Sequence, residues 1–245
     1  KTGIIGHPRH HHRFPLMHHG TQDPFTNTVT DALHILDHFR IHAVQRLNKQ
    51  RAAIVIKQRH QTKLHLGMLM QTLQPQKILE IGTAIGYSAL LMADNSPQSL
   101  ISTIERNPEM LGLARENLAK FDSRKQISLL EGEAMELLPN LPDDHFDFVF
   151  MDSAKSKYIV FLPEVLKKVK VGGLIVIDDI FQGGDVTKYM SEIHRGQRAI
   201  YRGLHKLFDA TLDNPHLTAS LVSISDGLLM LRKNMAEVDL KIEEI

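Results

Sequence analysis

Acidic residues follow the carboxyl ends of five successive predicted strands, and the chemistry of this chain is expected there. In a parallel sheet those ends share one edge, and ligands of such sheets bind along it. An acid at one strand end is equally well explained by solvation. Five strands that converge on carboxylates are harder to explain in that way, so a ligand site is predicted. These acids are Glu80, Glu105, Glu133, Asp152 and the pair Asp178-Asp179.

A glycine turn connects the first of these strands to the next helix, within residues 77–88. Gly82 and Gly86 give the spacing G-x-x-x-G, whereas a turn that holds a pyrophosphate reads G-x-G-x-x-G. The Glu80 carboxylate would repel a phosphate and attract a cation. The turn therefore indicates an adenosine ligand with a positive charge, and the sulfonium S-adenosylmethionine (SAM) fits. Its expected contacts here are Glu80, Gly82, Thr83, Gly86 and Ser88.

The next two strand ends supply candidate contacts for the nucleoside. Glu105 follows Gly82 by 23 positions, the spacing at which an acid accepts hydrogen bonds from both ribose hydroxyls. Arg106 adjoins it. Glu133 and Ala134 are placed at the adenine edge, although Glu133 is equally well explained as the solvated start of a helix.

A second group of acids indicates a metal. Asp152, Asp178 and Asp179 follow adjacent strands, and three carboxylates in one place repel each other unless a cation compensates. Oxygen ligands without cysteine favour a hard cation such as Mg²⁺. Lys155 lies three residues past Asp152 and is the candidate catalytic base. The competing interpretations are a loop that begins at Asp178-Asp179 and a surface lysine.

The elements that must position these residues alternate along the chain. Alternating apolar strands and helices predict a parallel α/β sheet with helices on both faces, extended by a C-terminal antiparallel hairpin to seven strands. The predicted strands are 78–81, 100–105, 126–130, 146–152, 174–178, 219–224 and 228–232. The predicted helices are 87–93, 108–120, 134–138, 157–169 and 186–212.

Composition and charge divide the chain into four segments. Residues 1–27 form a His-rich tail or expression remnant, 28–74 a basic helical arm, 75–233 the core and 234–245 an acidic tail. In the arm, an apolar run at 54–56 precedes a helix at 58–73. The absence of cysteine excludes disulfides and thiolate chemistry and is compatible with the cytoplasm, which is the predicted location. No apolar run reaches the roughly 20 residues of a membrane span.

These motifs together resemble the cation-dependent class I O-methyltransferases, a Rossmann-like family that includes catechol and caffeoyl-CoA O-methyltransferases. The resemblance extends in particular to bacterial tRNA 5-hydroxyuridine methyltransferases. It implies SAM as methyl donor, Lys155 as catalytic residue and Glu105 as ribose ligand. It also implies Asp152, Asp178 and Asp179 as metal ligands, with Asp152 a cofactor contact as well, although the family usually has Asn at the third metal position. Ile56 falls near the part of the arm that closes over SAM.

The identity of the methyl acceptor has to be inferred from the distribution of charged residues. Residues 38–79 contain eight Lys or Arg and no acid, a pattern that fits phosphate contacts or an ordinary solvated helix. A second basic stretch contains Lys188, Arg195, Arg198, Arg202 and Lys206. The hypothesis is Mg²⁺-dependent methylation of a tRNA wobble 5-hydroxyuridine by a homodimer. The alternatives are small catechol-like or caffeoyl-CoA-like acceptors, or a SAM- or RNA-binding module without turnover.

Overall fold

The computed structural model describes the backbone of residues 49–241 and the side chains of residues 61–241. The His-rich tail and most of the basic arm lie outside the described residues. The contact pattern separates residues 1–52 from a compact unit formed by Ala53–Ile245, to which the sheet belongs. Within residues 49–241, none of the helices is long and apolar enough to cross a membrane.

Seven strands form one sheet in this part of the chain. They are β1 (Lys77–Ile81), β2 (Leu100–Glu105), β3 (Ile127–Glu131), β4 (Phe146–Met151), β5 (Val169–Ile177), β6 (Leu217–Val222) and β7 (Leu228–Lys233). Their order is β3-β2-β1-β4-β5-β7-β6. Strands β1 to β5 pair in parallel, whereas β7 is antiparallel to both β5 and β6. The predicted fold class is therefore confirmed.

Helices cover both faces of the sheet. They are α1 (Lys49–Leu73), α2 (Tyr87–Asn95), α3 (Pro108–Phe121), α4 (Ala134–Leu137), α5 (Tyr158–Lys168) and α6 (Arg198–Thr211). Side chains alternate along a strand, so β1 buries Leu79 and Ile81 against one face and Ile78 against the other. Each face has its own apolar cluster, which fixes the strand ends relative to one another.

The structure differs from the prediction at residues 186–212. Three short 3₁₀ turns (Gln182–Thr187, Met190–Glu192 and Arg195–Gln197) precede α6, so the prediction of one long helix is wrong over residues 186–197. Between these turns, Lys188, Tyr189, Ile193 and His194 have ψ values between 126° and 166°, outside the helical range. The His194 ring accepts a hydrogen bond from Gly196 N and gives the last turn a separate start.

Two smaller differences concern the ends of other elements. Helix α1 runs without a break through 54–56, where the apolar run was expected to precede a separate helix. No Gly or Pro interrupts the sequence there. Strand β5 begins at Val169 and not at Leu174, with an irregular register against β4 near Phe146. Gly172-Gly173 therefore lies within the strand.

Candidate active site

The glycine turn after β1 holds the ends of β1, β2 and β4 close together. Gly82 N and Thr83 N both donate to Ile104 O, at 3.0 and 3.1 Å. Gly82 has a φ of 108°, and a Cβ at this position would lie 2.0 Å from Asp152 O. Only glycine allows this approach of two backbones. Gly86 then begins α2, so the turn presents its backbone along the expected cofactor edge.

Glu80 is completely buried at the end of β1. Thr103 Oγ1 donates to its Oε2, and Thr83 Oγ1 lies 2.6 Å from the same Thr103 hydroxyl. The other oxygen, Oε1, has no hydrogen-bond partner of good geometry among the described residues, although the nearby Ser88 hydroxyl lowers the pKa of the carboxyl. Burial outweighs this and raises the pKa of Glu80 to about 7. A cationic ligand would stabilise the ionised form.

Glu105 is held by backbone N–H groups at the end of β2. Its Oε2 accepts from Ala84 N at 2.8 Å, and its Oε1 accepts from Arg106 N and Asn107 N. The carboxylate thus bridges the glycine turn and the start of α3. This is the edge where the sequence placed the ribose, while the ribose contact itself stays a prediction.

An exposed ion pair marks the neighbouring edge. Arg106 Nη1 lies 2.8 Å from Glu133 Oε1 and joins the ends of β2 and β3. Glu133 precedes α4, and Ala134 is buried as the first residue of that helix. Both predicted adenine contacts are therefore next to Glu105. Ile56 lies in α1, but its side chain is outside the described residues.

The three aspartates predicted as metal ligands follow β4 and β5. Asp178 is 7% exposed, and its Oδ1 accepts from Asp179 N at 2.7 Å. Burial, together with the negative charges of Asp152 and Asp179, raises the pKa of Asp178 to about 7. Asp152 is exposed at the end of β4. The site therefore carries like charges that oppose ionisation.

Across residues 61–241, no three His, Asp or Glu side chains are grouped as a metal cage would require. The Asp179 carboxylate instead points to Lys155, with Oδ2 at 3.2 Å from Nζ. The donor chemistry of the three aspartates nevertheless fits a hard cation. A bound cation would also relieve the repulsion among the three carboxylates.

Lys155 occupies a 3₁₀ turn (Lys155–Lys157) between β4 and α5, and its side chain is 21% exposed. Its Nζ lies 3.6 Å from Asp226 Oδ2 as well as next to Asp179. Asp226 lies in the turn between β6 and β7, within Ser225-Asp226-Gly227, a combination that is typical of a tight turn. That turn signal accounts for the backbone, and no local pattern indicates a contact with Lys155.

Tyr158 connects the segments that follow β4 and β5. It is fully buried, and its hydroxyl donates to Asp178 O at 3.1 Å and accepts from Ser153 N at 3.3 Å. The residues after β4 and β5 are thereby joined through one side chain. Burial raises the pKa of Tyr158 well above its usual value, so the hydroxyl keeps its proton as donor.

The glycine turn with the buried Glu80, and Lys155 between Asp179 and Asp226, both lie at the carboxyl-terminal edge of the parallel strands. The family model described as O-methyltransferase matches residues 27–234, and the chain belongs to this family. It is a SAM-dependent O-methyltransferase. The predicted resemblance is confirmed at this level, and an enzyme is favoured over a binding module.

Individual relatives support the same assignment. Caffeoyl-CoA O-methyltransferase of Stellaria longipes is 29% identical over 69% of this chain and 72% of its own. Catechol O-methyltransferase of Mycobacterium tuberculosis is 30% identical over 49% of this chain and 56% of its own. The crystal structure of O-methyltransferase TomG from Streptomyces achromogenes, in complex with SAM, shares the fold with a TM-score of 0.65. It is 24% identical and covers 84% of this chain and 89% of its own.

Proposed function

We propose that this O-methyltransferase methylates one of two adjacent hydroxyls on a small catechol-like or caffeoyl-CoA-like acceptor, with a divalent cation and with Lys155 as base. The observation that carries the proposal is the position of Lys155. Its Nζ lies 3.2 Å from Asp179 Oδ2 and 3.6 Å from Asp226 Oδ2. The names of the relatives support small acceptors of this type.

The proposed cofactor contacts lie on the β1–β3 side of the site. SAM supplies an electrophilic methyl group when bound. The turn residues Gly82, Thr83, Gly86 and Ser88 would approach its amino-acid part, beside the buried Glu80. Glu105 would hold the ribose, while Arg106, Glu133 and Ala134 border the adenine edge. Asp152, whose carbonyl meets Gly82, lies between this side and the acceptor side.

The proposed metal contacts lie on the β4–β5 side. Asp152, Asp178 and Asp179 would hold a cation such as Mg²⁺, which makes a chelated hydroxyl more acidic. Lys155 Nζ would then take the hydroxyl proton, which requires a neutral amine. Fixed acceptor geometry beside the methyl donor would supply much of the rate.

A tRNA wobble 5-hydroxyuridine is the second candidate acceptor, because it also offers two adjacent oxygens. The supporting observation is a basic surface on and before α6. Within the described residues, Arg195, Arg202 and Lys206 form no ion pair, whereas Lys188 pairs with Asp185 at 2.6 Å. Arg198 donates to Ile193 O and has a structural role. The part of the basic arm up to residue 60 lies outside the residues with described side chains.

The test is a methyl-transfer assay with labelled SAM. Purified protein is incubated with a catechol, with caffeoyl-CoA and with bulk tRNA, each with Mg²⁺ and with EDTA. We expect label in a small acceptor, and its loss with EDTA. Label in tRNA alone would replace the proposed acceptor with the second candidate. Full activity in the presence of EDTA would contradict the proposed requirement for a divalent cation.

Two further predictions accompany this proposal. A homodimer is expected, and sedimentation velocity at micromolar concentration would detect it. A cytoplasmic location is expected, which fractionation of the source cells would examine.

A further inference from the structure

Asp226 makes contacts that a turn residue does not need. It lies between β6 and β7, and its backbone oxygen accepts from Phe181 N at 2.8 Å. Its Oδ1 accepts from Gly183 N at 2.7 Å, 43 positions earlier in the chain. An aspartate in a turn normally bonds its own backbone about two residues on. Here the side chain joins the hairpin to the segment after β5.

The second carboxylate oxygen of Asp226 faces the site. Oδ2 lies 3.6 Å from Lys155 Nζ, and the side chains are 25% and 21% exposed. A partly desolvated pair of this kind is screened less than a surface pair. The two oxygens of Asp226 thus have different partners: Oδ1 holds a backbone amide, and Oδ2 faces the ammonium.

Asp179 is the other carboxylate beside Lys155, and it has a competing role. Its Oδ2 lies 3.2 Å from Nζ, yet the same carboxylate is one of the proposed metal ligands. A carboxylate engaged by a cation attracts a neighbouring ammonium less strongly. Asp226 is not among the proposed metal ligands, so it stays available to Lys155 in either case.

We propose that Asp226 is a positioning residue, which holds Lys155 Nζ toward the acceptor side and ties it to the segment that follows β5. This inference rests on the proposed role of Lys155. It assigns two separable tasks to one side chain. The charge on Oδ2 orients the lysine, whereas the acceptor Oδ1 fixes Gly183. An asparagine keeps the second task and loses the first; an alanine loses both.

The experiment compares Asp226→Asn and Asp226→Ala with wild type and with the control Asp185→Asn. Asp185 pairs with Lys188 and has a side-chain exposure of 26%, so it matches Asp226 in chemistry and burial. We expect both Asp226 variants to lower kcat by roughly 10- to 100-fold with little change in the KM for SAM. The control should keep the wild-type kcat.

Two measurements without turnover separate the tasks. The first is the rate at which acetic anhydride acylates Lys155, measured by peptide mass spectrometry relative to the exposed Lys157. This rate should rise several-fold in both variants, because Asp226 no longer holds Nζ. Hydrogen exchange at Gly183 should stay slow in Asp226→Asn and become faster in Asp226→Ala. Wild-type kcat together with an unchanged Lys155 acylation rate in Asp226→Asn would overturn the inference.

Lys155→Met, assayed in parallel, distinguishes the two proposals. Suppose that Lys155→Met abolishes turnover while Asp226→Asn keeps the wild-type kcat and the wild-type rate of Lys155 acylation. The proposal that Lys155 is the base is then supported, and the positioning role of Asp226 is refuted. If Lys155→Met keeps wild-type turnover, the proposed base is refuted. The acylation rate in Asp226→Asn then decides the positioning role alone, since an unchanged rate overturns it and a faster one supports it.

Discussion

At the scale of single residues, Glu80 shows how burial links the site to stability. Its carboxyl is completely buried, with a pKa raised from 4.5 to about 7, mainly by desolvation. The folded state therefore binds this proton more tightly than the unfolded state does. By linkage, the contribution of Glu80 to stability is greatest at or below about pH 4.5 and is lost as pH rises through about 7.

Glu80→Gln should remove this pH dependence, because glutamine does not ionise. The free energy of unfolding of the variant, relative to wild type without added ligand, should increase between pH 5 and pH 8. The change should be on the order of 3 kcal/mol, at about 1.36 kcal/mol per pKa unit. Urea denaturation at several pH values measures it. Glu136→Gln, on an exposed position of α4, is the control, and a flat difference for Glu80→Gln would contradict the prediction.

At the scale of elements, helix α6 packs directly on the turn that carries Lys155. Gly203 is buried, and a Cβ there would lie 3.0 Å from both Cα and O of Ser156. Gly203→Ala should therefore force α6 away from the turn. We expect a loss of stability of about 1–3 kcal/mol together with reduced turnover.

Gly112→Ala is the matched control for that change. It lies within α3 with nothing within 4 Å of the added Cβ. Alanine should stabilise the helix there by up to about 1 kcal/mol. Thermal denaturation measures the stability of both variants, and the methyl-transfer assay measures their turnover. Equal stability of the two variants would argue against close packing at Gly203.

The same elements show what the sequence could and could not predict. Apolar strands that end in acids, with short connections, allowed the sheet and the positions of Glu80, Glu105 and Asp178 to be predicted, because those patterns are local. The break before α6 depends on non-helical backbone at residues 188–189 and 193–194, where no glycine or proline marks an interruption in the sequence. The contact of Asp226 with Lys155 exists only after β7 pairs with β5.

At the scale of the whole molecule, the compact unit continues past the last strand. The sequence divided the core from an acidic tail at residue 233, but Leu240 is only 6% exposed and belongs to an apolar cluster of the sheet. Asn214 Nδ2 donates to Asp239 O at 2.7 Å and holds this segment. Leu240, in the predicted tail, thus contributes to the core.

Leu240→Ala should lower the free energy of unfolding by about 2–4 kcal/mol, since it removes buried methyl groups and leaves a cavity. Met235→Ala, at a residue 53% exposed in the same segment, should change it by less than about 0.5 kcal/mol. Chemical denaturation of both variants measures the difference. Similar values would mean that the segment does not pack as described.

The approach of Gly82 to the Asp152 carbonyl also limits how this enzyme can be engineered. Because that contact joins two backbones, the proposed donor side and the proposed acceptor side of the site share one close backbone junction. A change of side chain at position 82 would disturb both halves together, and directed evolution should find no tolerated replacement there. New acceptor preferences should instead arise in the segment between β5 and α6, where glycines and short turns let the backbone vary independently of the donor pocket.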